Sequence, residues 1–276
     1  MMEMKQSWLV LWISIMCFCL SSNGQTVDTI LLSYNGTISS NGNCIGIDGV
    51  NNGYFLSKSN FLIKYDETGK ELFNYNSLFL NSGTVISCEN PFKTILYFPD
   101  QGKIAVLDRR LSLNAEIDLN KTDYLNISAV CASQDNQNLW IFDDGNKFLY
   151  KIDQSGKAII SIDIRSIQAG LKANLNAFTK LIESNDYLFC IRASGEVVVL
   201  DNFGNYKTAF FLGCFPNEIE AFDGKIIYKK NNIIEAIDIK TKQKFAIPID
   251  VNLTQIVLGK GIIIGKSIAE WKIFKF

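Results

Sequence analysis

The residues of this chain that could do chemistry are aspartates and cysteines, because its 276 residues include no histidine. Without histidine there is no Ser-His-Asp triad, no Cys-His pair and no histidine-ligated zinc. The sequence also has no Gly-x-x-x-x-Gly-Lys-Ser/Thr phosphate loop and no calcium loop of EF-hand spacing. We therefore predict a protein that is not an enzyme, with no catalytic residue, no metal site and no cofactor.

Five aspartates recur in similar turns, 42, 45, 48 and 37 residues apart, and they are Asp66, Asp108, Asp153, Asp201 and Asp238. Three of these turns read Asp-x-x-Gly. Such a carboxylate can accept backbone N–H groups inside the turn, while glycine supplies the positive φ that closes a hairpin. A catalytic carboxylate has no reason to recur in every repeat. We interpret these aspartates as turn residues.

Other carboxylates leave two alternatives open. A glycosidase needs two carboxylates that face each other across a cleft. Five carboxylates are available for that role, and they are Glu183, Asp186, Glu196, Glu218 and Glu220. The closest match to a metal loop is Asp143-Asp144-Gly145-Asn146, but it falls where a hairpin turn is due, so we prefer the turn.

Cysteines follow the same period. Cys44, Cys88 and Cys131 are 44 and 43 residues apart, and Cys190 and Cys214 come later in the chain. The spacing predicts equivalent positions on inner strands of successive repeats. A ring of metal-binding thiols is the alternative, but no other ligand type accompanies them, and free cysteine packs well in a core. We expect these three to be buried, reduced and free of metal.

A period near forty made of short strands is typical of propeller blades. Runs of Val, Ile, Leu, Phe and Tyr, separated by Gly, Asn and Asp, give four strands in each period. We predict an all-β, six-bladed β-propeller of four-stranded antiparallel blades. The last blade lacks a fourth strand, and a 15-residue offset assigns that strand to residues 27–34, paired with residues 269–275. The N-terminal strand would then close the ring and remove two open edges.

The first 24 residues read as a secretory signal peptide, and residues 25–276 as a single propeller domain. The 13 mostly apolar residues at 8–20 are fewer than the roughly 20 that a spanning helix needs. Small residues follow them, and no transmembrane segment is expected after cleavage. The formal net charge of −1 gives no general attraction to nucleic acid.

The unit from Tyr65 to Phe73 resembles the quinoprotein-type (PQQ-like) propeller repeat, in which Asp-x-x-Thr-Gly-Lys leads to an aromatic residue. The segment from Ala236 to Phe245 is similar, with Lys in place of Gly. The chain from residue 25 onward also looks like secreted six-bladed propellers of the Bacteroidota type. Quinoprotein enzymes carry more blades and need a calcium-binding cluster and a cofactor pocket, neither of which the sequence shows.

These observations predict an exported, non-catalytic protein-binding or scaffold subunit in the periplasm or at the outer-membrane surface of a Gram-negative bacterium. Its partner would be another protein of an envelope complex, in outer-membrane assembly or secretion. Propellers bind through connections between blades, so we predict partner contacts at Tyr124, Lys172, Phe215 and Arg192. Lys172 lies in the longest connection, residues 165–177. The alternative is an enzyme acting on a sugar or lactone with carboxylates or a metal in the central channel.

Overall fold

The computed structural model describes residues 32–135, 137–168, 177–249, 253–268 and 270–275. These residues form six sheets, each of four antiparallel strands. In five sheets the strands are hydrogen-bonded in chain order, with the first at the centre and the fourth at the rim; in the sixth sheet the first strand of the chain takes the outermost place. The predicted six-bladed β-propeller is confirmed.

The first three blades take their strands from consecutive segments. The strands of blade 1 are β2 (Asn43–Ile47), β3 (Gly53–Leu56), β4 (Phe61–Tyr65) and β5 (Glu71–Asn76). The strands of blade 2 are β6 (Val85–Ser87), β7 (Lys93–Phe98), β8 (Lys103–Asp108) and β9 (Leu113–Asp118). The strands of blade 3 are β10 (Ile127–Ala132), β11 (Leu139–Asp143), β12 (Phe148–Ile152) and β13 (Ala158–Asp163).

The last three blades complete the ring. The strands of blade 4 are β14 (Phe178–Ser184), β15 (Tyr187–Arg192), β16 (Glu196–Asp201) and β17 (Tyr206–Phe211). The strands of blade 5 are β18 (Ile219–Phe222), β19 (Lys225–Lys230), β20 (Ile233–Asp238) and β21 (Lys244–Pro248). The strands of blade 6 are β22 (Gln255–Leu258), β23 (Ile262–Lys266), β24 (Trp271–Lys275) and β1 (Ser33–Ile38). The short helices are 3₁₀ at Pro99–Gln101, Leu119–Lys121 and Pro216–Glu218, and α1 at Ile164–Gln168.

The core lies between neighbouring blades, because each sheet packs its apolar side chains against the next sheet. In one such cluster, Trp140 and Phe142 of blade 3 pack with Phe178 and Leu181 of blade 4. The second strands are covered on both faces, and all six residues of β7 are buried. This is why the inner strands read as nearly continuous apolar runs rather than as alternating ones.

The N-terminal strand closes the ring, at a different position from the predicted one. β1 pairs antiparallel with β24, with Ser33 opposite Lys275 and Ile38 opposite Trp271. The assignment of this strand to residues 27–34 is therefore corrected to 33–38, and residues 27–31 lie outside the described residues. The closing contact is well buried, because Ile38 and Trp271 belong to one apolar cluster.

The recurring aspartates are turn residues, as predicted. In every case Oδ1 accepts two backbone N–H groups within the turn; Asp201 Oδ1, for example, accepts from Phe203 at 3.0 Å and Asn205 at 2.8 Å. The same arrangement occurs at Asp66, Asp108, Asp153 and Asp238. Gly204 has a φ of +88°, the left-handed conformation that the prediction required.

Candidate functional site: two faces of the ring

The ring has two faces that differ in chemistry. We call one the interblade face; it carries the connections between blades and the turns between second and third strands. We call the other the mouth face; it carries the turns between first and second strands, which surround the opening of the central channel. Every first strand runs from the interblade face to the mouth face, so a residue's position along that strand sets its depth in the channel.

The interblade face presents apolar side chains to solvent. Exposed ones lie on connections that follow blades 1, 2 and 4 and on a turn of blade 6, and they are Leu78, Leu125, Phe215 and Ile268. Water-exposed apolar side chains on one surface are candidates for an interaction site, and the mouth face also exposes Val50, Phe92 and Phe203. Phe215 is 74% exposed and directly precedes the 3₁₀ turn Pro216–Glu218.

The four predicted partner-binding residues are placed differently. Phe215 is exposed, whereas Tyr124 is half-buried, donates its hydroxyl to the Gly156 carbonyl at 2.9 Å and packs against Tyr150. Arg192 is 2% exposed; its Nε lies 2.8 Å from Glu196 Oε2, and its guanidinium lies over the Phe178 ring. This burial leaves Arg192 little surface to offer a partner. Lys172 lies outside the described residues.

The mouth face holds a pocket of about 320 Å³ on the channel axis. All six blades line it, with Gly49, Glu89, Gln134, Glu183, Phe222 and Lys260 among the lining residues. Its volume is at the lower end of the roughly 300–1,000 Å³ range of small-ligand sites. A second, wider cleft between the mouth turns of blades 3 and 4 includes Asp135, Asn185 and Phe203.

Two glutamates give the pocket its charge. Glu183 is 91% buried, and both of its carboxylate oxygens are hydrogen-bonded. Trp140 Nε1 donates to its Oε1 at 3.1 Å, and the Gln134 backbone N–H donates to its Oε2 at 2.5 Å. Glu89 is half-buried and accepts the Ser87 hydroxyl at 2.6 Å. Within the described residues, no lysine or arginine forms an ion pair with either carboxylate. The pocket is therefore acidic.

A buried ion pair lies below the pocket. Lys180 Nζ of β14 is 2.5 Å from Glu220 Oε1 of β18 and donates to the Ile219 carbonyl at 2.9 Å. Burial raises the pKa of the Glu220 carboxyl to about 7; the Lys180 ammonium opposes this rise and the Glu89 carboxylate adds to it. Burial disfavours the charged form of Lys180, but Glu220 and Glu89 raise its pKa above the usual value.

The cysteines lie on or directly after inner strands, as predicted, but they do not occupy equivalent positions along those strands. Cys44 lies on β2 opposite Phe55, Cys131 lies on β10 opposite Trp140, and Cys88 follows the last residue of β6. Bulges within β2 and β10 and the different strand lengths put the three at different depths. Cys88 and Cys131 are buried, whereas Cys44 is only half-buried, contrary to expectation. Burial raises the pKa of all three thiols.

The tetrad Asp143-Asp144-Gly145-Asn146 forms a turn rather than a metal loop. Asp143 Oδ1 accepts the backbone N–H groups of Asn126, Gly145 and Asn146, which ties the blade 2–3 connection to the turn. Across the described ranges no three His, Cys, Asp or Glu side chains are grouped as metal ligands. In the same residues no helix is long and apolar enough to cross a membrane.

Comparison with known proteins identifies the architecture. No family model matches the chain, and no curated protein matches it. The Pan2 WD40 domain of Neurospora crassa is 12% identical, with a TM-score of 0.52, over 86% of this chain and 82% of that one. The streptogramin B lyase structure is also 12% identical, with a TM-score of 0.57, over 89% and 97%. At such low identity these similarities show the propeller fold alone.

A third solved structure is more distant. BamB from Moraxella catarrhalis is 13% identical, with a TM-score of 0.46, over 88% of this chain and 85% of that one. The class that fold and site define is a six-bladed β-propeller with an acidic pocket at one end of its channel and exposed apolar connections at the other.

The sequence did not single out the channel residues. Glu183 and Glu220 are two of five carboxylates whose separation the sequence does not give, and no motif points to Glu89 or Lys180. A usable signal existed, since polar residues that interrupt apolar inner-strand runs must face either the channel or a buried partner. Applying it requires strand registers, which bulges shift by a residue in several blades.

Proposed function

We propose that this propeller is a non-catalytic binding subunit that recruits another protein through its interblade face at the cell envelope. The observation that carries the proposal is the exposure of Leu78, Leu125, Phe215 and Ile268 on that face. Burying exposed leucine and phenylalanine side chains stabilises a complex by about 1.5–3 kcal/mol each. Aromatic side chains are also frequent hot spots of protein interfaces.

The envelope location rests on the first 24 residues, which read as a secretory signal peptide and lie outside the described residues. A periplasmic or outer-membrane-surface protein of a Gram-negative bacterium fits that reading. A role in an outer-membrane assembly or secretion complex is the specific form of the proposal. The partner would then be another subunit of that complex.

The test is recovery of a partner from native envelope extracts with tagged protein. Combined Leu125→Ser and Phe215→Ser should reduce recovery at least about thirtyfold, since two hot spots of about 1–4 kcal/mol each contribute about 2 kcal/mol or more. Phe203→Ser is the matched control, because Phe203 is 72% exposed but lines the cleft on the mouth face. Equal loss with the control, or undiminished recovery with the double variant, would contradict the proposal.

A second candidate function is catalysis on a sugar or lactone in the channel. The Lys180–Glu220 pair favours it, because a carboxyl with a pKa near 7 can exchange a proton at neutral pH. The test is turnover of a glycan or lactone panel by the purified protein, with Glu220→Gln as the inactive reference. Turnover that requires Glu220 would replace the non-catalytic proposal.

A further inference from the structure

We propose that the mouth pocket and the channel below it bind a protonated amine or guanidinium group, held by Glu89, Glu183 and Glu220. This inference is independent of the interblade partner and concerns the opposite end of the channel. The cation would enter from the mouth face and place its charged end against the carboxylates.

Two carboxylates of the mouth pocket have no cation paired with them in the described part of the chain. Lys180 is the cation paired with Glu220, whereas Glu89 and Glu183 have no ion-pair partner among the described residues. Carboxylates held away from bulk water are strongly stabilised by a bound cation, because the low local dielectric strengthens the attraction. Lys260, the cation at the rim of the pocket, is already engaged with Asp223 at 2.7 Å.

Glu220 has a buried oxygen without a hydrogen bond from the described residues. Glu220 is 2% exposed; its Oε1 contacts Lys180, whereas no donor among these residues reaches its Oε2. A buried acceptor without a partner is unfavourable by about 1–3 kcal/mol, more when charged. A donor from a ligand would satisfy this oxygen.

Glu220 lies one residue deeper along β18 than the lining of the pocket. Its neighbour Ala221 lines the pocket, and the groups coupled to Glu220 come from across the ring: Cys44 of blade 1, Glu89 beside blade 2 and Lys180 of blade 4. Only a group close to the centre of a six-bladed ring can influence groups on three other blades. Glu89 connects the pocket with Glu220, since it lines the pocket and its charge raises the pKa of the Glu220 carboxyl.

The pocket fits an organic cation better than a metal ion. The carboxylates come from three separate blades, and no metal-ligand grouping occurs in the described chain. Pro91, Phe92 and Phe222 line the wall and offer apolar surface for methylene groups behind a charged head. An alkylamine, an alkylguanidine, or a lysine or arginine side chain of another protein has this combination of charge and apolar stem.

Binding should depend on pH. The groups facing Glu220 are Lys180, Glu89, Cys44 and Cys88. Burial raises the pKa of Glu220 to about 7, so its carboxyl is mostly protonated at pH 6 and mostly ionised at pH 8. Cation affinity should therefore increase as the pH rises across this interval, whereas binding of a neutral ligand would not follow this curve.

The test is isothermal titration calorimetry of the purified protein with agmatine, with cadaverine, and with a short peptide that has one central lysine. Glu89→Gln should weaken binding about tenfold or more, because it removes one charge-assisted contact. Glu71→Gln is the matched control, since Glu71 is exposed on the outer strand β5. Glu220→Gln is a second variant that should flatten the pH dependence.

The outcomes separate the two sources of the cation. One-to-one binding of the free amines that is weakened by Glu89→Gln but not by Glu71→Gln supports a small-molecule ligand. Binding of the lysine peptide without binding of the amines supports a side chain of a partner protein. Absence of binding by every probe, equal effects of Glu89→Gln and Glu71→Gln, or binding of calcium in place of amines would overturn the proposal.

Discussion

The two faces of this propeller are made by the same strands and yet differ in the side chains that they present. On the interblade face, Leu125 and Phe215 extend into water from connections. On the mouth face, Glu89 and Glu183 line a pocket. The difference arises at the two ends of the inner strands, since one end follows a connection between blades and the other enters a turn beside the channel axis.

The carboxylates of the ring differ in whether the protein itself satisfies their hydrogen bonds. Asp201 and its equivalents are satisfied within their own turns by two backbone N–H groups. Glu220 instead reaches across from blade 5 to Lys180, and its second oxygen has no donor within the described part of the chain. The hydrogen bonds of the turn aspartates thus follow from the local repeat, whereas the contact of Glu220 with Lys180 requires the closed ring.

The largest expected effect comes from opening the ring, on which both faces depend. Deletion of residues 26–38 removes β1 and exposes the edge of β24. We expect the free energy of unfolding to fall by more than about 4 kcal/mol, with aggregation, because fully buried Ile38 is lost with its strand. Thermal and urea unfolding measure this.

Two point variants within β1 test the same contact with smaller changes than the deletion. Ile38→Ala should lower the free energy of unfolding by about 2–5 kcal/mol, whereas Ser33→Ala at the exposed start of β1 should change it by less than about 0.5 kcal/mol. Unchanged stability of the deletion variant would show that β1 does not close the ring.

The difference between the predicted and observed positions of β1 shows what the sequence can and cannot predict. The blades and turns were predictable because Asp-x-x-Gly chemistry is local and recurs. The closing strand was placed by assuming equal connections, but the connection from β1 to β2 is residues 39–42 and that from β5 to β6 is residues 77–84. That difference, together with the different registers of Cys44 and Cys88, moves the strand six residues along the chain.

The candidate site was less predictable because it is assembled from distant segments. Lys180 and Glu220 are forty residues apart and meet only because blades 4 and 5 are neighbours. Arg192 and Tyr124 looked suitable for an interface by residue type, yet they pack into the blades. Residue type alone does not report burial, whereas the recurring turns needed no long-range information.

A smaller effect should be confined to the mouth face. A methyl group added at Gly46 would lie 2.3 Å from Cys88 Sγ, so Gly46→Ala must displace the residue that precedes Glu89. We expect a loss of about 1–3 kcal/mol in unfolding free energy and weaker amine binding, with unchanged recovery of an interblade partner. Calorimetry and unfolding curves measure both quantities.

Gly49→Ala is the matched control, because its added methyl would lie 3.5 Å from the Glu89 carbonyl, an ordinary contact. It should change stability by less than about 0.5 kcal/mol. Cys88→Ala combined with Gly46→Ala should restore most of the lost stability, since it removes the colliding sulfur. A double variant as unstable as Gly46→Ala would mean that the clash is not the cause.

The smallest perturbation is chemical labelling, which compares the faces without changing the sequence. Cys214 lies on the connection to blade 5 beside Phe215, whereas Cys44 is half-buried on the inner strand β2 of blade 1. Burial raises the pKa of Cys214 to about 11, so about a hundredfold less thiolate is present at pH 8 than for a thiol of pKa 9. Both should react slowly with a maleimide, and faster as the pH rises.

Mass spectrometry of the labelled protein gives the order of reaction. Cys214 and Cys44 should react in the native protein, whereas Cys88, Cys131 and Cys190 should react only after unfolding, because they are buried. Agmatine bound in the channel should slow the labelling of Cys44 and leave that of Cys214 unchanged. Equal slowing at both thiols would mean that the amine acts on the whole molecule, and the chemical distinction between the two faces would then fail.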